Sequence, residues 1–155
     1  MKKICFITTS RADFGTLNEL IKEILNTKLF IVQLIISGSH NEKVFGNTYK
    51  EIFKKKRVIV KKIKVLSLNK NSKDVALSFA DCAEKFTKVL SKLKPNVFVA
   101  FGDRYEMLAA TTSAYILRIP IVHIAGGEKT TGSIDDGFRH SISKLSNLHF
   151  PATNE

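Results

Sequence analysis

Short apolar runs alternate along this chain with longer segments in which apolar residues recur at helical spacing. The short runs predict buried strands, and the longer segments predict amphipathic helices that cover them. Predicted strands span residues 4–8, 30–37, 58–66, 97–101, 121–124 and 148–152. Predicted helices span about 16–27, 47–55, 74–93 and 105–117, and a last one runs from a Ser133 cap to about 145. The strand at 58–66 alternates only in part, which indicates a place near the edge of the sheet.

This order of strands and helices is typical of a parallel sheet, because parallel neighbours need a crossover between them. The predicted fold class is therefore α/β, with helices on both faces of the sheet. The length of 155 residues is enough for one domain of this kind. Such sheets bind ligands at the carboxyl ends of their strands, so the residues that follow the strands are the first candidates for a functional site.

Polar and charged residues follow four of the predicted strands, each group together with a glycine. Arginines at strand ends suit bidentate binding of phosphate or carboxylate. The backbone N–H groups around Gly126 and Gly127, with the helix that follows, suit an anion. Facing carboxylates suit proton transfer when burial raises the pKa of one toward neutrality. The candidates are Arg11, Asp13, His40, Asp103, Arg104, Glu128, Asp135, Arg139 and His140. Together they predict an anionic substrate and acid–base chemistry.

Some of these residues also have a purely structural interpretation. Asp135 and Arg139 are spaced i, i+4, as are Asp136 and His140. Such pairs form on helix surfaces, where each stabilises by at most about 0.5 kcal/mol. His123 lies inside an apolar strand, so a hydrogen-bonded core histidine and a ligand-binding histidine both stay open. The histidines lack the spacing of metal ligands, and there is no G-x-G-x-x-G or Walker motif.

The net charge of +11 comes from the first part of the chain. Residues 1–94 contain 20 basic and 8 acidic side chains, whereas residues 95–155 contain 5 and 6. No nucleic-acid motif surrounds the basic stretch at 50–64, so lysines that protect an edge strand are the preferred interpretation over a nucleic-acid or membrane surface. No apolar run reaches the roughly 20 residues of a membrane span. Cys5 and Cys82 lie in apolar contexts, as reduced core cysteines of a cytoplasmic protein do.

Five segments of the chain form a combination that resembles one family. They are ITTSRADFG at 7–15, FGNTYKEI at 45–52, GDRYE at 102–106, HIAGGE at 123–128, and the segment from IDD at 134 through RHSISKL to HF at 150. The family they resemble is the hydrolysing UDP-N-acetylglucosamine 2-epimerases, including relatives in sialic-acid and legionaminic-acid-type pathways. The resemblance extends over essentially the whole chain.

The resemblance implies a reaction on a UDP- or GDP-linked 2-acetamido sugar. A base removes the C2 proton, the nucleoside diphosphate leaves, and water adds to the resulting glycal. The products are the free sugar inverted at C2 and the nucleoside diphosphate. The resemblance implies that this chemistry needs no metal and no other cofactor.

The resemblance also assigns roles to individual residues. Arg11 corresponds to a substrate-binding arginine, and Asp103 corresponds to a catalytic acid–base group. Asp135 corresponds to a second carboxylate, with Arg139 one turn later as its partner. Ala125 stands where some sialic-acid-type members have a catalytic Glu, so Glu128 is the alternative base. The other expected substrate contacts are Asp13, His40, Arg104, His123, Gly126, Gly127, Arg139 and His140.

Members of this family have two Rossmann-like halves, arranged as in B-type glycosyltransferases, with the active site between them. The resemblance implies that residues 1–155 form a single Rossmann-like domain, the N-terminal half, without the nucleotide-binding second half. We therefore expect a truncated or split enzyme with little activity alone, a separate chain for the second half, and self-association through the uncovered apolar face. The alternative is a non-catalytic module that binds a sugar nucleotide or a partner.

Overall fold

The computed structural model describes residues 1–9, 11–37, 56–66, 70–127, 129 and 131–151, with the backbone alone at 11–13. Within these residues the strands are β1 (Lys2–Thr8), β2 (Phe30–Ile36), β3 (Val58–Lys62), β4 (Val97–Phe101), β5 (Ile121–Ile124) and β6 (Leu148–Phe150). The helices are α1 (Arg11–Asn26), α2 (Ser72–Leu93), α3 (Tyr105–Ile116) and α4 (Ile134–Leu145).

The strands form one parallel sheet in the order β3-β2-β1-β4-β5-β6. From β1 the chain moves outward to β2 and β3, and it then returns to add β4, β5 and β6 on the other side. The direction of the strand order therefore reverses between β1 and β4. In sheets of this kind ligands bind in the crevice at that reversal. The order is that of a Rossmann-like sheet, so the predicted fold class is confirmed.

Alternate residues of the strands enter two separate cores, because successive side chains in a strand point to opposite faces. On β1, Cys5 and Ile7 belong to the core that α2, α3 and α4 cover, and Cys82 of α2 is buried in the same core. Phe6, between them in sequence, belongs to a second core under α1. Helices therefore cover both faces, as predicted, and both cysteines lie in the core.

β3 lies at one edge of the described sheet, as its partial alternation predicts. The strand ends at Lys62, four residues before the predicted end, and both Lys61 and Lys62 are exposed. Exposed lysines oppose the pairing of an edge strand with another sheet. This finding supports the structural interpretation of this part of the basic stretch. β6, at the other edge, ends at Phe150 rather than at residue 152.

α1 begins about one turn earlier than predicted, at Arg11 rather than at about residue 16. The prediction relied on apolar spacing that starts at Leu17. Phe14 is also buried, with 3% of its surface exposed, so the packed face of the helix extends toward the N-terminus. Arg11 and Asp13 therefore lie in the first turn of a helix and not in a loop. The helix predicted at 47–55 lies outside the described residues.

Side chains cap the first turns of α2 and α4. Asn71 Oδ1 accepts a hydrogen bond from the backbone N–H of Asp74 at 2.9 Å. Ser133 caps α4, as predicted, with its Oγ 3.2 Å from the backbone nitrogen of Asp135. α2 ends at Leu93, in agreement with the predicted stop before Pro95. None of the described helices is long and apolar enough to cross a membrane.

Candidate functional site

The carboxyl edge of the sheet brings together those predicted site residues that the structure describes. β1, β4 and β5 are parallel neighbours, so the start of α1 and the turns after β4 and β5 meet at this edge. α4 also begins there, because it follows the turn after β5. Arg11 and Asp13 are placed here by their backbone. His40 and Glu128 lie outside the described residues.

Arg139 joins α4 to the turn after β4. Its Nη2 forms an ion pair with Oδ2 of Asp103, and its Nη1 lies 3.5 Å from Oδ1 of Asp136. The Arg139 side chain is only 8% exposed, whereas the side chains of Asp103 and Asp136 are 27% and 30% exposed. A buried cation thus holds two accessible carboxylates at the edge where ligands bind in this fold. We call Asp103, Asp136 and Arg139 the acidic cluster.

The helix spacing predicts the wrong carboxylate as the partner of Arg139. The observed partner on α4 is Asp136, at i, i+3, and not Asp135. Asp135 instead contacts the cap of the helix, where its carboxylate accepts a hydrogen bond from Ser133 Oγ at 3.4 Å. The predicted pair of Asp136 with His140 is present, with 3.4 Å between carboxylate and imidazole. Asp136 is therefore a member of the site that the sequence did not single out as a site residue.

Arg104 forms a two-bond ion pair with Glu106. Its Nε lies 3.2 Å from Oε2 and its Nη2 lies 3.1 Å from Oε1. Glu106 is buried, and a buried carboxylate needs a charged partner. About half of the Arg104 side chain stays exposed at the edge. Burial, assisted by the Glu106 charge, raises the pKa of Tyr105 to about 12, so this phenol is protonated at neutral pH and is a poor base.

His123 is completely buried and bonds to two other elements. Its Nδ1 lies 2.9 Å from Ser143 Oγ, and its Nε2 lies 3.2 Å from the carbonyl oxygen of Gly102. A carbonyl only accepts, so Nε2 donates to it and Nδ1 accepts from the serine hydroxyl. Burial is the main cause that lowers the pKa of His123, and the bond to Gly102 acts in the opposite direction. These contacts are those of the core histidine that the sequence left open.

Gly126 and Gly127 form the turn after β5, together with Ala125. Ala125 and Gly127 both have a positive φ, of 60° and 92°. Gly126 is buried, whereas Gly127 is exposed at the edge. The backbone of this turn therefore reaches from the buried histidine to the surface. The anion site that the sequence places at these glycines stays a prediction.

Three residues that support the site were not predicted as site residues. Asp136 was detectable by its i, i+3 spacing to Arg139. Glu106 was detectable as the last residue of the GDRYE segment, which places a carboxylate in the first turn of α3. Ser143 has no signal in the sequence, because its contact with His123 arises only when α4 packs on β5.

The fold and the acidic cluster define a Rossmann-like α/β domain whose charged groups gather at the carboxyl edge of the sheet. The family to which it belongs follows from comparison with known proteins. The model of the UDP-N-acetylglucosamine 2-epimerase family matches residues 22–155. The chain therefore belongs to this family, and the predicted resemblance is confirmed.

Two relatives are known by their activity. The GDP/UDP-N,N'-diacetylbacillosamine 2-epimerase (hydrolyzing) of Campylobacter jejuni is 43% identical over 149 residues, which cover 96% of this chain and 38% of that protein. The UDP-N,N'-diacetylbacillosamine 2-epimerase (hydrolyzing) of Legionella pneumophila is 37% identical over 153 residues, which cover 99% of this chain and 40% of that protein. The chain thus spans about two fifths of the length of these relatives.

A solved structure shows the same fold. The UDP-GlcNAc 2-epimerase of Neisseria meningitidis, bound to UDP-GlcNAc, superposes with a TM-score of 0.79 at 22% identity. The superposition covers 98% of this chain and 41% of that protein. The fold of the described residues is therefore similar to that of a part of this solved structure.

Proposed function

We propose that this chain contributes the acid–base groups of a hydrolysing 2-epimerase that acts on a UDP- or GDP-linked 2-acetamido sugar. The observation that carries the proposal is the acidic cluster, which lies at the carboxyl edge and includes Asp103 from the turn beside the strand-order reversal. The names of the Campylobacter and Legionella relatives support a diacetylated bacillosamine as the sugar. UDP-N-acetylglucosamine is the second sugar to test, since it is the substrate in the family name.

In the proposed reaction a carboxylate takes the C2 proton of the sugar. The electrons of the C2–H bond form a C1–C2 double bond while the C1–O bond to the nucleoside diphosphate breaks. Water then adds its hydroxyl to C1, and a proton returns to C2 on the opposite face. Asp103 suits a proton-transfer role because it is accessible and held in one position by Arg139. For the second carboxylate of the reaction we propose Asp136 as a candidate in addition to Asp135 and Glu128.

The same edge supplies groups for the departing diphosphate. Arg104 keeps about half of its side chain exposed while it pairs with Glu106, and Arg11 begins α1 beside the strand-order reversal. Guanidinium groups bind phosphate through paired N–H donors. We therefore propose both arginines as contacts of the nucleotide. The remaining proposed substrate contacts are Asp13, His40, Gly126, Gly127 and His140.

We further propose that this chain by itself turns over little substrate. It spans about two fifths of its relatives, and catalytic groups must be held within about 0.5 Å of their productive positions. A single face of a cleft does not meet that requirement. Robust release of UDP or GDP by the purified chain alone would overturn this part of the proposal. Binding of the sugar nucleotide without turnover, both alone and in the fusion described next, would instead favour a non-catalytic module.

The role of Asp103 is tested in a fusion of this chain with the part of the Campylobacter enzyme that it does not match. We expect the fusion to release nucleoside diphosphate and, in deuterated water, to incorporate deuterium at C2. Asp103→Asn should lower kcat by about 10²- to 10⁴-fold, the usual contribution of an acid–base group. Glu84→Gln, which removes an exposed carboxylate of α2, should leave kcat unchanged. Equal rates for the two variants would contradict the proposal.

A further inference from the structure

The His123 side chain connects three segments of the chain. It is part of β5, and its two ring nitrogens bond to Ser143 on α4 and to the carbonyl of Gly102 after β4. Gly102 has a φ of 83°, which glycine adopts without the steric cost that other residues meet. The next residue in this turn is Asp103. The imidazole therefore holds the peptide group that directly precedes a member of the acidic cluster.

Gly126 closes the space around the ring. A Cβ at this position would lie 2.4 Å from His123 Nδ1 and 2.8 Å from Ser143 Oγ. Real Cβ atoms do not approach other atoms this closely, so the close packing of the turn on the histidine requires glycine. The ring is thus confined by a helix, a strand turn and a glycine backbone, and it has little freedom to reorient.

α4 holds the turn after β4 at two points. Arg139 pairs directly with Asp103, and Ser143, one helical turn later, reaches Gly102 through His123. The two connections fix adjacent residues of the same turn. A carboxylate with only the ion pair would still be free to move with its backbone, whereas the second connection holds that backbone as well.

We propose that His123 is a positioning residue, which acts through the Gly102 carbonyl to hold Asp103 in its place at the carboxyl edge. This proposal deepens the proposed function, because it assumes that Asp103 acts on the sugar. From the sequence we expect His123 to contact the substrate directly, whereas this proposal gives it an indirect role through Asp103. The ring has no exposed surface, and both of its nitrogens already bond within the chain.

Burial and the nearby positive charges favour the neutral form of the ring. Burial lowers the pKa of His123, and the nearby His149 of β6 and Arg139 of α4 lower it further, against the opposing effects of Gly102 and Asp103. A neutral ring with its proton on Nε2 donates to Gly102 and accepts from Ser143. In a charged ring both nitrogens are donors, so Nδ1 would donate to the serine oxygen instead of accepting from it, and the bond from Nε2 to Gly102 would persist.

The first test uses the chain itself and needs no activity. NMR of labelled imidazole should show one tautomer for His123, with the proton on Nε2. In Ser143→Ala, a mild change, the backbone amide of Asp103 should exchange faster with solvent and the guanidinium protons of Arg139 should lose protection. His149→Gln, on the neighbouring strand, should change neither. An unchanged Asp103 amide and Arg139 guanidinium in a folded Ser143→Ala protein would overturn the proposal, whatever the fusion enzyme does.

The second test uses the fusion enzyme. His123→Leu removes both bonds and should lower kcat by about 10²-fold, the effect of a misplaced group, with the KM for the sugar nucleotide nearly unchanged. His123→Gln, whose amide still donates toward Gly102, should recover part of kcat. If His123 had only a structural role, His123→Leu would reduce the amount of folded enzyme. It would not lower kcat at a nearly unchanged KM, and His123→Gln would not restore part of kcat. If Asp103→Asn proves harmless while the NMR changes occur, the proposed function fails and the positioning contact stands.

Discussion

Gly126 packs so closely against His123 and Ser143 that it leaves no room for an added Cβ. We expect Gly126→Ala to destabilise the fold by about 1–3 kcal/mol, the usual cost of forcing an extra group into a packed site. The added methyl group collides with His123 and Ser143. The free energy of unfolding from urea titrations measures this cost.

Gly137 provides a matched control for Gly126→Ala. It lies inside α4, is exposed, and has no atom within 4 Å of the position of an added Cβ. Gly137→Ala should therefore stabilise the protein by about 1 kcal/mol, because alanine is the better helix former. If Gly126→Ala does not lower the free energy of unfolding while Gly137→Ala raises it, the packing around His123 adapts to the added methyl group and the prediction is contradicted.

At the residue scale, the sequence predicts residue types better than it predicts partners. Asp103 and Arg139 were both predicted for the site, and the structure joins them in one ion pair. The partner of Arg139 on its own helix was predicted wrongly, because i, i+3 and i, i+4 neighbours are equally close on a helix surface. The contact between His123 and Ser143 was not predictable, since it depends on how α4 packs on the sheet.

At the element scale, Lys94 ends α2 in a conformation that lysine rarely adopts. Its φ of 47° and ψ of 61° lie in the left-handed region, and its N–H bonds to the Leu90 carbonyl. A left-handed residue with a side chain costs about 1–2 kcal/mol, and glycine avoids most of this cost. We therefore expect Lys94→Gly to raise the free energy of unfolding by about 1 kcal/mol, measured by urea titration.

The control for Lys94→Gly is Lys92→Gly, two residues earlier and also exposed. Lys92 lies within α2, so glycine there should lower stability by about 1 kcal/mol. Both variants lose one lysine charge, so the charge cannot account for opposite signs. Changes of the same sign would contradict the assignment of the helix end.

The elements themselves were largely predictable, and their ends were less so. The continuous apolar runs of β1, β2, β4 and β5 and the long apolar face of α2 determine which segments are buried, and these predictions are confirmed. The start of α1 was missed because Arg11 and Asp13 add no apolar signal to the pattern. β3 was predicted too long, because Val65 packs in the core and the backbone N–H of Leu66 bonds to the Asp81 carboxylate of α2 rather than to a strand.

At the scale of the whole molecule, the sheet order explains why separate segments form one site. Parallel crossovers bring the ends of β1, β4 and β5 to one edge, although the segments that follow them are far apart in sequence. The sequence predicted this edge from the strand–helix alternation alone. Self-association stays a prediction, and exposed apolar side chains such as Ile116, Leu148 and Phe150 are available for it.

The two buried thiols make stability depend on alkaline pH. Burial raises the pKa of Cys82 to about 12, with help from the charges of Glu106 and Asp81, and burial raises the pKa of Cys5 as well. Both folded pKa values lie above the ordinary value of 9.0. Above that pH the unfolded chain releases thiol protons that the folded chain keeps. The contribution of the protonated thiols to the free energy of unfolding is therefore complete below about pH 9 and is lost as the pH rises toward 12.

We expect the free energy of unfolding in a reducing buffer to fall as the pH rises above about 9, by at most about 1.4 kcal/mol per pH unit for each thiol. Cys82→Ala should make this fall shallower by removing one titrating group, although the cavity it leaves lowers stability at every pH. The same slope in Cys82→Ala and in the original chain would show that the buried thiol is not responsible.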